Sequence, residues 1–286
     1  MDNKREQYVI LNGQLILKKD ANISVFSRSM FFDFAVYDSM KVVKGRAFFP
    51  RFHAERLLES ARLINMRHNL TVEKIESAID LLIEKNHLEN AMIRFLLLGP
   101  ENDQEEAKLY MFSVGLTFYN DSAYRQGVKA ITFHGERHIP QAKSKDLLIN
   151  YLGFREATEN GALDALLIDH DGQIREGTRT NFFAVREGKI YTAPLTQVLE
   201  GITRKIVVDL ARNNDIEVIE KAPLFDELDS FEEFFFTSTS MNVMPISDID
   251  GTIKKHAPGP ITKKIMDLYK EYYNENIFGK IETKED

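Results

Sequence analysis

The 286-residue chain lacks cysteine, lacks any long apolar run and carries no excess of positive charge. Without cysteine it has no disulfides, thiolate metal ligands or cysteine nucleophiles, so covalent chemistry falls to serine, threonine, lysine, aspartate or glutamate. Because no segment approaches the roughly 20 apolar residues of a membrane span, we predict a soluble cytoplasmic protein without membrane partners. The formal net charge of −7 argues against a nucleic-acid partner, because nucleic-acid binding depends on a basic surface.

Two domains are predicted from the length and from one irregular stretch of sequence. A hydrophobic content of 43% over 286 residues is enough for a substantial core in one large or two modest domains. The stretch from Thr117 to Gly127 shows neither helical nor strand periodicity. We therefore predict a small N-terminal domain at 1–118, a linker at 119–127 and a large C-terminal domain at 128–286. In the first domain, Asn12-Gly13 between two apolar runs predicts a β-hairpin.

The most specific motif is the segment Gln173–Phe183 (QIREGTRTNFF), followed by Leu199–Arg204 (LEGITR). It resembles the pyridoxal-phosphate signature of fold type IV aminotransferases, a group of branched-chain aminotransferases, D-amino acid aminotransferases and aminodeoxychorismate lyases. The resemblance runs from about Tyr8 to about Ile253. It implies an α/β fold with a small N-terminal α/β domain, a larger C-terminal domain around a β-barrel, and pyridoxal 5′-phosphate held between them. It also implies a homodimer in which the neighbouring subunit completes each active site.

The cofactor aldehyde requires a lysine for its Schiff base. Lys143 matches the family's Schiff-base lysine when the downstream pair Glu156-Ala157 is used to align the sequences. Lys145, two residues later, is the competing candidate, and either lysine could instead be a solvated surface group. The resemblance gives Lys143 the role of nucleophile and proton shuttle.

Two further residues resemble those that contact the cofactor ring. Glu176 matches the carboxylate that pairs with the protonated pyridine nitrogen, although a glutamate next to glycine is by itself more often an exposed turn residue. Leu199, two residues before Gly201, resembles the side chain that packs against the ring.

The phosphate group of the cofactor needs cations or helix amides. The backbone amides of Ile202 and Thr203 are predicted at a helix N-terminus after glycine, although this pattern is also a common plain cap. Ser240 is the first candidate for a second phosphate contact and Thr239 the next. Arg56 resembles the phosphate arginine of the family, against the alternative of an arginine on a helix surface.

The chain departs from D-amino acid aminotransferases at two positions that bind the substrate carboxylate in those enzymes. Met30 stands where they carry a tyrosine, and Leu98 stands where they carry an arginine. We predict that Arg28 and Arg179 replace this carboxylate site, because a bidentate guanidinium binds a carboxylate strongly. Instead of binding a carboxylate, Arg179 could form a structural ion pair, and Arg28 could be a solvated residue of a loop.

The resulting hypothesis is transamination between a D-amino acid, such as D-alanine or D-glutamate, and pyruvate or 2-oxoglutarate. The alternatives are an L-branched-chain aminotransferase and an aminodeoxychorismate lyase that releases pyruvate. No metal site is predicted, because His134 and His138 lie in an expected loop without an evident third ligand.

Overall fold

The computed structural model describes residues 7–279, which form two compact units. One unit comprises the described residues up to Thr117 together with Ala142–Lys145. The other comprises Phe118–Gln141 and the described residues from Asp146 onward. The segment Ala142–Lys145 groups with the first unit because its backbone bonds to that unit: the Tyr37 N–H donates to the Lys143 carbonyl at 2.9 Å.

The first unit is an antiparallel sheet covered by helices. Its strands and helices, in chain order, are β1 (Tyr8–Leu11), β2 (Gln14–Leu17), α1 (Arg28–Phe31), β3 (Ala35–Val43), β4 (Arg46–Ala47), α2 (Pro50–Leu63), α3 (Val72–Asn86), β5 (Ala91–Leu98) and β6 (Lys108–Val114). The strand order is β2-β1-β6-β5-β3-β4. The predicted hairpin is confirmed: β1 pairs with β2, and Asn12 and Gly13 both have the positive φ of its turn.

Apolar residues on one face of this sheet pack against α2 and α3. In β3, the alternate residues Val36, Met40 and Val42 are fully buried in this core. Asp38 has the same alternation and is also fully buried. A charged residue therefore lies in the layer between β3 and the helices.

The second unit contains a closed β-barrel. Its strands and helices are α4 (Asp121–Gln126), β7 (Val128–His134), α5 (Leu148–Glu159), β8 (Asp164–Ile168), β9 (Ile174–Gly177), β10 (Asn181–Arg186), β11 (Lys189–Thr192), α6 (Ile202–Arg212), β12 (Val218–Glu220), β13 (Glu233–Ser238), β14 (Asn242–Ile249), β15 (Ile253–Lys254) and α7 (Pro260–Phe278). The order β10-β13-β14-β7-β8-β9 returns to β10, because β9 pairs with β10. The predicted α/β fold with a C-terminal β-barrel is thus confirmed.

Phenylalanines of the barrel strands form much of the second core. Phe182 and Phe236 are fully buried, and their rings meet edge to face at 6.4 Å. Phe182 and Phe236 are also Cα partners in the register between β10 and β13. Within residues 7–279, no helix is both long enough and apolar enough to cross a membrane.

Candidate active site

Lys143 is held in the first unit by its backbone. Its carbonyl accepts from the Tyr37 N–H at 2.9 Å, and its own N–H donates to Ser60 Oγ at 3.0 Å. The Lys143 Nζ lies 4.6 Å from the centre of the Tyr37 ring. Lys145 differs, because its Nζ lies 3.5 Å from the Asp33 carboxylate. The two candidate lysines therefore have different neighbours: an aromatic ring for Lys143 and an acid for Lys145.

Arg56 belongs to a buried ionic cluster on α2 and β3. Its Nε and Nη2 donate to the two oxygens of Asp38 at 2.9 and 2.7 Å, and His53 Nδ1 lies 2.8 Å from Asp38 Oδ1. Burial alone would raise the pKa of Asp38, but the nearby Arg56 and His53 outweigh it and hold the pKa well below its usual range. The ionised Asp38 thus fixes the direction of the Arg56 guanidinium.

In the second unit, the barrel register aligns Glu176, Asn181 and Thr237. Asn181 on β10 is the partner of Glu176 on β9 and of Thr237 on β13. All three are buried at one end of adjoining strands. The Thr237 Oγ1 is buried without a hydrogen-bond partner in the described residues. Polar side chains from three neighbouring strands therefore meet at one barrel edge.

Both oxygens of Glu176 accept hydrogen bonds. Arg137 Nε donates to Oε1 at 2.9 Å, and the Leu199 N–H donates to Oε2 at 3.3 Å. Asn181 Nδ2 lies 3.5 Å from Oε2 and donates to the Leu199 carbonyl at 2.9 Å. Arg137 also donates to the Pro140 carbonyl. This arrangement orients a carboxylate rigidly, as the protonated ring nitrogen of the predicted cofactor requires.

The N-terminus of α6 has no side-chain cap. Its N-cap is Gly201, and the first helical bond runs from the Lys205 N–H to the Gly201 carbonyl at 2.9 Å. Within the described residues, the amides of Ile202 and Thr203 have no acceptor. A Cβ on Gly201 would lie 2.1 Å from Asn181 Oδ1, so a larger residue here would have to displace the Asn181 amide. Unpaired amides at the positive end of a helix fit a phosphate dianion.

Thr239 and Ser240 lie in the turn between β13 and β14 and are half-buried. The Ser240 Oγ is 3.3 Å from Ser238 Oγ, which accepts from the Met241 N–H at 3.2 Å. The same turn follows Thr237, whose hydroxyl has no hydrogen-bond partner within residues 7–279. Hydroxyl groups suited to a phosphate thus cluster on the strand against which α6 packs.

Arg179 lies in the turn between β9 and β10. Its guanidinium carbon is 3.7 Å from the centre of the Phe154 ring, and Nη2 donates to the Leu163 carbonyl at 3.1 Å. Its backbone N–H donates to Asp164 at 3.3 Å. Of its guanidinium nitrogens, Nη2 alone has an acceptor among the described residues, so Nε and Nη1 remain able to bind a carboxylate.

Arg28 is the first residue of α1 in the other unit. Its N–H donates to Glu101 at 2.9 Å, and its Nη1 is 3.6 Å from the Asp103 carboxylate. Both members of this ion pair are solvent-exposed, so the pair contributes little to stability. Each arginine has partners within its own unit, and their joint role in binding a carboxylate stays a prediction.

Arg137 and His53 are polar residues of these clusters for which no role is predicted from the sequence. The i, i+3 spacing of His53 and Arg56 places them on one helix face, which is a usable signal. No local pattern marks Arg137, because it lies in an irregular loop. Residues 7–279 contain no group of three or more histidine, aspartate or glutamate side chains arranged to hold a metal ion.

Comparison with known proteins finds relatives over nearly the whole chain. The model of the family described as amino-transferase class IV matches residues 35–249. The branched-chain-amino-acid aminotransferase of Pseudomonas aeruginosa is 30% identical over 93% of this chain and 92% of its own. The D-alanine aminotransferase of Bacillus licheniformis is 32% identical over 90% of this chain and 94% of its own. Sequence identity therefore does not separate the two substrate classes.

A solved structure supports the same relationship. The branched-chain amino acid aminotransferase from T.th., solved with pyridoxamine 5′-phosphate, superimposes with a TM-score of 0.85 and 27% identity. The match covers 94% of each chain.

Proposed function

Because the chain belongs to the class IV aminotransferase family, we propose that it transfers the amino group between a D-amino acid, such as D-alanine or D-glutamate, and pyruvate or 2-oxoglutarate. Class IV aminotransferases use pyridoxal 5′-phosphate, which when bound supplies an aldehyde and an electron-withdrawing ring. The substrates of an aminotransferase are amino acids and keto acids, and the proposal concerns which of them this chain prefers.

The described contacts support a role for each candidate residue. Lys143, whose Nζ lies 4.6 Å from the centre of the Tyr37 ring, would hold the cofactor aldehyde and would move the proton taken from the substrate Cα. Glu176, oriented by Arg137, would hold the proton on the ring nitrogen, and Leu199 would pack against the ring.

The phosphate has a separate set of proposed ligands. They are the amides of Ile202 and Thr203, the hydroxyls of Thr239 and Ser240, and the guanidinium of Arg56. A helix N-terminus and a guanidinium together offer both directed donors and positive charge to a dianion.

The observation that carries the proposal is the position of Arg179, a cation able to bind the α-carboxylate that amino acid and keto acid substrates share. It is three residues after Glu176, and two of its guanidinium nitrogens have no acceptor among the described residues. Such a cation favours a substrate whose carboxylate it can bind through two hydrogen bonds. The second candidate is an L-branched-chain aminotransferase, favoured by the similarity to the branched-chain-amino-acid aminotransferase of Pseudomonas aeruginosa.

Spectroscopy of the purified enzyme without a keto acid tests the proposal. We expect the visible absorption of the bound cofactor to fall when D-alanine or D-glutamate is added, because the cofactor aldehyde is consumed as it accepts the amino group. L-leucine and L-glutamate should leave the absorption unchanged. A response to the L substrates alone would refute the D-amino acid proposal and favour a branched-chain aminotransferase. No response to either set would also refute it, and aminodeoxychorismate lyase activity would then be assayed.

We also propose a homodimer in which the segment around Arg28 reaches the neighbouring active site. Large apolar side chains flank Arg28 and are exposed: Val25 (73%), Phe26 (93%), Phe31 (80%) and Phe32 (72%). Apolar patches of this kind mark interaction surfaces. A second copy of the chain is the partner that would bury them.

The mass in solution, measured by analytical ultracentrifugation, tests this surface. We expect twice the 33.0 kDa of one chain for the native protein, and the mass of one chain for Phe26→Asp. Phe118→Asp is the matched control, because Phe118 is 75% exposed but lies far from Arg28 in the sequence. A native protein that sediments as a monomer would refute the proposal.

A further inference from the structure

The turn Thr178–Thr180 is bound at every residue by one buried carboxylate. Asp164, at the start of β8, is fully buried. Its Oδ1 accepts from the Thr178 hydroxyl, and its Oδ2 accepts from the Thr180 hydroxyl at 2.9 Å and from the Arg179 N–H at 3.3 Å. A single side chain thus holds both flanks and the centre of this turn.

Helix α5 holds the same turn from another direction. Asn150 Nδ2 donates to the Thr178 carbonyl at 2.7 Å. A Cβ on Gly153 would lie 3.1 Å from the Thr178 methyl group, so the helix approaches the turn closely. Phe154, the next residue, stacks under the Arg179 guanidinium. The turn therefore has little freedom to move.

Stability alone does not account for a carboxylate at position 164. Burying a charge costs free energy unless it is paired, and an apolar side chain would fill such a position without that cost. Burial raises the pKa of Asp164, opposed by Arg179 and by the hydroxyls of Thr178 and Thr180. The hydrogen bonds that Asp164 makes are directed at the turn and at its own strand, through the Ala165 N–H at 3.0 Å.

We propose that Asp164 is a positioning residue for Arg179: by fixing the Thr178–Thr180 backbone, it aims the guanidinium at the substrate carboxylate. This inference rests on the proposed function, in which Arg179 binds that carboxylate. Asp164 is fully buried and itself contacts neither substrate nor cofactor in the proposed site. It acts through Arg179, so its removal has no further consequence for substrate binding once Arg179 is gone.

A double-mutant cycle tests this dependence with steady-state kinetics of the holoenzyme, varying pyruvate at saturating D-alanine. We expect Asp164→Asn to raise the KM for pyruvate about ten-fold with kcat little changed, as for a lost hydrogen bond to a charged group. In an Arg179→Ala background, adding Asp164→Asn should not change KM further, so the double variant should have the KM of Arg179→Ala alone. Asp250→Asn is the control, because Asp250 accepts from the Thr132 N–H at 2.8 Å and from its hydroxyl at 2.7 Å.

The outcomes distinguish failure of the positioning role of Asp164 from failure of carboxylate binding by Arg179. If the double variant raises KM by the product of the two single effects, Asp164 does not act through Arg179. That result would overturn the positioning role of Asp164 and leave the role of Arg179 intact. An unchanged KM in Arg179→Ala would overturn the carboxylate-binding proposal and this inference with it. If Asp164→Asn does not fold, Thr180→Val keeps the shape and the buried carboxylate but removes one hydroxyl, and should raise KM in the native background alone.

Discussion

Replacing Lys143 by alanine is expected to lower kcat on the order of 10⁴-fold, because the change removes both the nucleophile and the group that moves the substrate proton. The visible absorption of the covalently bound cofactor should be lost as well. The measurement is kcat for D-alanine and pyruvate, with an absorption spectrum of each purified variant. Tyr37 and Ser60 hold the backbone of Lys143, so alanine keeps those bonds and the loss reports on the side chain.

Lys145→Ala is the matched control for this experiment. Lys145 lies two residues away but its Nζ is 3.5 Å from Asp33, so its removal costs a half-exposed ion pair and no chemistry. We expect its kcat to stay within about two-fold of the native value, since surface ion pairs contribute little. A large loss in Lys145→Ala with activity retained in Lys143→Ala would reverse the assignment of the two lysines.

The parts of the fold that sequence predicts are those with local causes. Asn12-Gly13 specifies its hairpin because its two residues accept the positive φ angles of the turn. The barrel is different, since β7 pairs in parallel with β8 and β14, and such pairing joins residues far apart in the chain. No periodicity reveals those partners, so the barrel followed from family resemblance.

The residues of the candidate site also fall into those that a local motif predicts and those that only the structure reveals. Glu176 and the glycine before α6 stand in recognisable motifs, because ring and phosphate binding need particular residues at fixed spacing. Arg137, Asp38 and Asp164 lie in no such motif. Each is defined by a partner brought near by tertiary packing: Arg137 by Glu176, Asp38 by Arg56, and Asp164 by the turn after β9. Residues that orient other residues therefore need the structure to be found.

His138 has a charged partner that its sequence spacing does not reveal. It shares i, i+4 spacing with His134, yet its Nδ1 lies 2.8 Å from Asp146 Oδ2 at the surface. The hydrogen bond to Asp146 raises its pKa. Arg137, between the two histidines, is turned inward, and its side chain is only 8% exposed.

Glu176→Gln is expected to lower kcat about 100-fold while the cofactor stays bound, the scale of a misplaced proton in general acid–base chemistry. Two effects add. The amide no longer holds a proton on the ring nitrogen, and the positive charge of Arg137, which lies 2.9 Å from the Glu176 carboxylate, is then left without that anion. A cation so placed disfavours protonation of the ring nitrogen. The loss should therefore exceed that of a simple hydrogen bond.

The control is Glu106→Gln, because Glu106 accepts from Arg67 Nε at 2.7 Å in the first unit, much as Glu176 accepts from Arg137. We expect Glu106→Gln to keep native kcat, measured alongside cofactor absorbance for both variants. A native kcat in Glu176→Gln would mean that the carboxylate serves only to neutralise Arg137. In that case Arg137→Gln, in the native background, would destabilise the fold without changing kcat, because a buried charge would have lost its partner. If instead Glu176 acts on the ring nitrogen, Arg137→Gln should change kcat less than Glu176→Gln does, since the carboxylate that holds the proton is still present.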